Sequence, residues 1–321
     1  MSRCAMSFTL KSEDEYEDLL GLWSDLESGL GIVLSHPHSV QQFAPRIQQY
    51  DRWMQNLIQY DTDVALYLLF QLAGHSPVGY SASHALVCGV LCHLLAQEVQ
   101  LPATERDSLV HAALTMNIAM TGLQDQLANQ RGRPTPEQEV ALRSHEARGA
   151  DLLQTLGITN ALWLQTVQQH HQETSLHADL MSVPPPQRLV HMLNVVDRYA
   201  AMISPRQSRE GRSATESAKS IVTSSNAQNN QVGQLLVRVV GLFPPGTFVQ
   251  LDNATVGVVM RRRQDLSPDV AIVLNDKGQL MRPPSLHTSS SNPAIAAALP
   301  ASKVREHLNH HLILQLGAHA V

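Results

Sequence analysis

The sequence predicts a mainly α-helical protein with a small antiparallel β appendage, and three observations predict it. Apolar residues recur at three- and four-residue spacing through most of the first 240 positions. Short β-branched runs bounded by Pro, Asn, Asp and Gly then follow. The 321-residue chain is 43% hydrophobic and 16% charged, a globular composition long enough for one large domain or two modest ones.

The elements follow in order. Ser12 and Glu15 have capping-box spacing, and Leu19, Leu20, Trp23 and Leu26 continue at helical period. A second helix runs through Arg46, Trp53, Leu57 and Ile58, and a more apolar one from Val64 to Leu72. The segment Tyr80 to Gln97 puts His84, Cys88, Leu91 and Leu95 on one stripe. Thr104 and Asp107 have the form of a cap for the next helix. Thr135-Pro136-Glu137-Gln138 is a strong start signal: a capping hydroxyl, proline at the first helical position, and glutamine three residues after the cap. Gly157 is a suitable C-terminal glycine for that helix. Further helices are expected near 160–171, 187–203, 214–224 and 230–240, and strands at Gly246 to Leu251, Thr255 to Met260 and Val270 to Leu274. Residues 285–300, rich in Ser, Ala and Pro, are expected to be mobile, with a last helix from Ser302 to Leu316. The chain thus divides into N-terminal helices (1–62), a central helical domain (63–242), a β appendage (243–284) and a flexible segment with a final helix (285–321).

Several classes are excluded at this level. No stretch of about 18 uninterrupted apolar residues is present, so no transmembrane helix is expected. The first twenty residues lack the apolar core of a signal peptide, which leaves the cytoplasm as the expected location. Three cysteines imply no disulfide framework, and Cys88 and Cys92 read as small buried hydrophobes. A net charge of -5 argues against broad nucleic-acid binding. Arg261-Arg262-Arg263 reads either as an anion site or as a solvated edge that discourages strand pairing, and His310-His311 as surface.

The chemistry-bearing residues are histidines and one acid on separate helices: His84, His145, the pair His170-His171, and Asp197 in LVHMLNVVDRYAAM. Neutral imidazoles and a carboxylate converging from different helices are what a bundle-core metal site for phosphate hydrolysis needs. Their order and flanks resemble an HD-GYP domain of the HD phosphohydrolases. Tyr80 precedes His84; AALTMNIAM (Ala112 to Met120) stands where that family carries AALLHDIGK; His145 is followed by Gly149 and Leu152-Leu153; then come the His-His pair and RLVHMLNVVDRYAAM. The segment from Gly241 to Met260 resembles the Pro-Gly strand region that often follows the domain, so the resemblance spans roughly Val64 to Leu274.

The resemblance implies a helical HD-type bundle in which His145, His170 and His171 share one metal while His84 and Asp197 belong to another. It also implies losses. Met116 and Asn117 replace the His-Asp doublet, Met120 replaces a lysine, Ala200 replaces an acid, and the Gly-Tyr-Pro loop is missing. A thioether is a poor ligand for Fe or Mn, and a neutral amide cannot bridge two cations. One divalent ion (Fe, Mn or Zn) remains a possible cofactor. Arg206 and Arg209 match positions that face substrate phosphate in the family, or else are solvated loop arginines. Met116, Met120 and Met192 read as core filling. The favoured function is an impaired regulatory module of cyclic di-GMP signalling that binds a protein partner or a cyclic dinucleotide, with no nucleic-acid or membrane partner and a homodimer plausible. The alternatives are a phosphodiesterase with an altered metal site and a purely structural scaffold.

Overall fold

The computed structural model describes residues 13–75, 78–172, 179–208, 211–223, 231–263, 267–288, 292–304 and 306–318. Helices α1 (Glu13–Ser35), α2 (Phe43–Tyr60) and α3 (Thr62–His75) precede α4 (Tyr80–Glu98), in which every residue from Ser81 to Ala96 is buried. A helix that is apolar all round belongs at the centre of its bundle, and α4 takes that place. Around it and beyond lie α5 (Ala103–Thr115), α6 (Thr121–Ala128), α7 (Pro136–Thr155), α8 (Ala161–Gln169), α9 (Pro185–Ile203), α10 (Ala214–Thr223) and α11 (Gln231–Val240). No described helix is long and apolar enough to cross a membrane.

Local sequence explains most helix ends. Thr135 Oγ1 accepts from the Gln138 amide at 3.3 Å and Gln138 Oε1 accepts from the Thr135 amide at 2.9 Å, a reciprocal capping box. At the other end Gly157 takes φ +85°, and the Ile158 amide reaches the Leu153 carbonyl at 3.0 Å, closing α7. Ser12 lies outside the described residues. The expected cap at Thr104 is displaced: Pro102 occupies the cap position and Thr104 already lies in the first turn. The buried Glu105 of that turn holds Arg188 of α9 through bonds of 2.7 and 2.6 Å, and Arg188 also donates to the Met181 and Val183 carbonyls. This brace fixes the start of α9 against α5.

The sheet is antiparallel, in the order β4-β3-β2-β1-β5, from β1 (Phe248–Leu251), β2 (Val256–Arg262), β3 (Pro268–Leu274), β4 (Leu280–Thr288) and β5 (Ile295–Leu299). Strand β5 and the last four residues of β4 fall in the stretch expected to be mobile. Both are edge strands, where proline is tolerated because one side of the backbone needs no partner. The last helix, α12 (His310–Ala318), starts later than expected, after a short 3-10 turn at Ala301–Lys303. His310 is not a free surface group: its Nδ1 lies 2.9 Å from the hydroxyl of the buried Tyr67.

The arginine run is likewise no free anion site or solvated edge. Arg261 pairs with Asp61; Arg262 donates from its backbone amide, Nε and Nη2 to Asp63 at 2.8, 2.8 and 2.6 Å; Arg263 Nε reaches Asp269 at 2.8 Å. Two of these pairs tie β2 to the start of α3. Gly246 completes that seam, since it sits at φ +86° and a Cβ there would collide with the Tyr67 carbonyl and lie 2.9 Å from Phe70 Cβ.

Candidate metal centre

Four helices deliver the polar groups. His84 and Cys88 stand one turn apart on α4, His145 sits in the middle of α7, His170 is the C-cap of α8 with His171 just beyond, and Asp197 projects from α9. Asn160 caps the start of α8 by accepting from the Trp163 amide at 2.9 Å. At its end, Asn194 of α9 donates to the His170 carbonyl at 2.9 Å and Glu146 accepts from the His171 amide at 2.8 Å. The His-His pair is therefore held from both flanking helices.

The hydrogen bonds assign the tautomers of two histidines. His145 Nδ1 lies 2.6 Å from the Leu142 carbonyl and His170 Nδ1 lies 2.7 Å from the Val167 carbonyl. A carbonyl only accepts, so each Nδ1 carries the proton and each Nε2 presents a lone pair. Those two Nε2 atoms face each other at 3.2 Å. Two opposed lone pairs repel unless a proton or a cation lies between them. Burial works against the proton: it lowers the pKa of His145, and it takes His170, with the field of His171, down to about 3. The His145, His170 and His171 ring nitrogens all lie within 4.8 Å of one another, and the half-exposed His171 gives the group its opening to solvent. A backbone-oriented pair of imidazoles with free Nε2 atoms is the donor set that a divalent cation requires.

A second group adjoins the first. His84 Nε2 lies 2.8 Å from Asp197 Oδ1, Cys88 Sγ lies 3.6 Å from His84 Nε2, and Asp197 Oδ2 lies 3.8 Å from His171 Nδ1. Burial by itself would raise the Asp197 pKa. The hydrogen bond with His84 and the fields of His84, His170 and His171 outweigh it and hold the carboxyl well below the usual range. His84 also stacks on Tyr80 at 5.4 Å, leaving its own Nδ1 buried without a partner.

The structure thus brings His84, His145, His170, His171 and Asp197 into two neighbouring groups. Met116 and Asn117 close α5 and lead into a 3-10 turn ending at Met120. Met116 is 1% exposed and packs in the main apolar core with Met192; Asn117 Oδ1 is buried without a hydrogen bond. Arg206 reaches neither group. It lies over the Tyr80 ring, 4.7 Å from its centroid, and donates to the Tyr80 hydroxyl at 2.8 Å. Arg209 lies outside the described residues. Cys88 and Cys92 are buried in the apolar core, as expected, but sequence reasoning missed three contacts at the site: Cys88 Sγ beside His84, Glu146 and Asn194. The four-residue spacing from His84 was the available signal for Cys88; the other two act through contacts between helices that no local spacing encodes.

No family model matches the chain. The chain is nevertheless similar to HD-GYP-type proteins. It is 26% identical over 217 residues to the cyclic di-GMP phosphodiesterase PA4108 of Pseudomonas aeruginosa, an alignment covering 64% of this chain and 50% of that protein. The chain thus spans about half the length of this curated relative. Among solved structures it is similar to Bd1817, an HDG"Y"P protein from Bdellovibrio bacteriovorus, with a TM-score of 0.51 and 14% identity over 74% of each chain. That second likeness is one of fold.

Proposed function

We propose that the chain is a catalytically impaired HD-GYP-type regulatory module that binds a cyclic dinucleotide and acts through a protein partner. The observation that carries this reading is the state of the doublet positions: Met116 is sealed in the apolar core and Asn117 is a neutral amide. Neither supplies the anionic bridge that two cations in close approach demand. The name of the Pseudomonas relative supports a cyclic dinucleotide as the ligand class.

In this reading His145, His170 and His171 hold one divalent ion, Fe, Mn or Zn. Such an ion would supply charge neutralisation at a phosphoryl oxygen and a lowered pKa for bound water. The chain's own residues do the rest. The Leu142 and Val167 carbonyls keep both Nδ1 protons in place, so the Nε2 lone pairs stay directed inward. Asp197, ionised and bound to His84, carries negative charge to the edge of the imidazole group. Arg206, held over the Tyr80 ring, is a described cation that could meet a phosphate approaching past Tyr80. One observation favours the rival reading of a working phosphodiesterase with an altered site: two groups of potential ligands converge despite the changed doublet.

Thermal protection by cyclic di-GMP, measured beside hydrolysis, separates the two. The regulatory reading expects protection that grows with ligand, by roughly 2.7 kcal/mol at a hundredfold excess over Kd, and no turnover. Steady turnover by metal-loaded wild type would sink it. The double change Met116→His with Asn117→Asp should give the metal-loaded protein turnover of cyclic di-GMP; no gain in turnover would show that the doublet is not what impairs the site.

A further inference from the structure

We infer that His84, Cys88 and Asp197 form a mononuclear site selective for a thiophilic cation such as Zn²⁺, distinct in chemistry from the three-imidazole group beside it. The inference rests on reading the bundle centre as competent for metal, and adds a ligand and a metal preference.

Geometry comes first. Cys88 Sγ and His84 Nε2 are 3.6 Å apart, and one ligand atom from each of His84, Cys88 and Asp197 lies within 4.8 Å of the others. Zinc bonds to sulfur at about 2.3 Å and to nitrogen at about 2.0–2.1 Å, so a tetrahedral centre has an S···N edge of about 3.6 Å. The separation is already that of two ligands on one ion. The His84–Asp197 distance of 2.8 Å is shorter than a tetrahedral edge, so binding replaces that hydrogen bond and opens the pair by a few tenths of an ångström.

Helix geometry explains the placement. Cys88 lies four residues after His84, which puts both side chains on one face of α4, and α9 brings Asp197 across to them. Cys92, one turn further on and equally buried, is outside the group. The thiol next to the imidazole is therefore specific to one of two otherwise similar cysteines.

Charge gives the second argument. The ligands of the three-imidazole group are all neutral, although the Glu146 and Asp197 carboxylates adjoin it. A thiolate at Cys88 and a carboxylate at Asp197 together carry two, matching one divalent ion beside a neutral His84. Asn117 no longer contributes an anion, and Cys88 supplies one from a different helix. Sulfur also changes the preference: thiolate favours zinc and its spectroscopic substitute cobalt over manganese or magnesium. Binding displaces one proton from the thiol, and the three protein ligands leave the fourth tetrahedral position open.

Cobalt titration of the metal-free, full-length protein tests this directly. Co²⁺ should produce a near-ultraviolet sulfur-to-cobalt charge-transfer band whose final intensity corresponds to one cobalt–thiolate bond per chain and which disappears when Zn²⁺ is added. Cys92→Ser should keep the band. Cys88→Ser should lose it and weaken cobalt binding at this site by roughly tenfold or more. Cobalt bound, by metal analysis, without any sulfur band would overturn the thiophilic site while leaving a histidine-only metal centre intact. A band that survives Cys88→Ser would also overturn it. If no cobalt binds at all, both this site and the metal-competent reading of the bundle centre fall. The wild-type spectrum decides the matter even should a variant not fold.

Discussion

Buried and half-buried charge is handled in opposite ways at two places in this molecule. At the seam between α3 and β2, cations and anions are matched: Asp61 meets Arg261, and Asp63 takes three donors from Arg262. At the bundle centre four imidazoles meet two carboxylates, Asp197 and Glu146, two Nε2 lone pairs face each other at 3.2 Å, and buried His84 Nδ1 and Asn117 Oδ1 have no hydrogen-bond partner. The seam is complete with what the chain contains. The centre carries an excess of acceptors that the chain's own donors do not satisfy. The contrast separates a cluster matched within the chain from one that is not.

The largest expected effect strikes the matched side. Asp63→Ala leaves the Arg262 guanidinium without its counter-ion, with only the Val239 carbonyl as acceptor, and should cost about 3 kcal/mol of stability in denaturant unfolding. Pairing it with Arg262→Met should recover most of that loss; a silent Asp63→Ala would erase the contrast. Next, Gly246→Ala imposes a side chain at φ +86° against the Tyr67 carbonyl and should cost about 1–3 kcal/mol, with loosening confined to the sheet by hydrogen exchange.

The unmatched side is exposed by acid. In the fold, His145 and His170 resist protonation, whereas in the unfolded chain they take up protons below the ordinary value of 6.5. Unfolding then binds protons, so stability is fully present above 6.5 and falls as pH drops toward about 3, by about 1.4 kcal/mol per pH unit for each proton. Melting of metal-free protein across that range should show the decline, and His170→Gln should flatten it. An unchanged slope would mean that His170 is not kept neutral. Smallest of all, Arg143→Ala removes an exposed pair with Glu139 and should shift stability by less than about 0.5 kcal/mol, a baseline for the other variants.

Much of the fold was legible because its signals are local. The reciprocal Thr135–Gln138 cap and the Gly157 terminus are each written within a few residues, whereas α9 starts at Pro185, inside the proline run and ahead of the expected 187. The edge strands β4 and β5 were not, because composition alone cannot separate a proline-tolerant edge from a mobile loop. For the site, the order of His84, His145, His170, His171 and Asp197 pointed to convergence, but the importance of Cys88 needed the distance to His84.

By itself, then, the sequence determined the helical period, the caps, the turn glycines and the change of chemistry at Met116 and Asn117, since each depends on neighbours along the chain. Only the tertiary structure decided that Arg261 and Arg262 meet Asp61 and Asp63 about 200 residues away, and that two imidazoles oppose their lone pairs beside a thiol and a carboxylate. The reason is physical: electrostatic and coordination chemistry acts through space at a few ångströms, and the separation of residues in sequence carries no record of that distance.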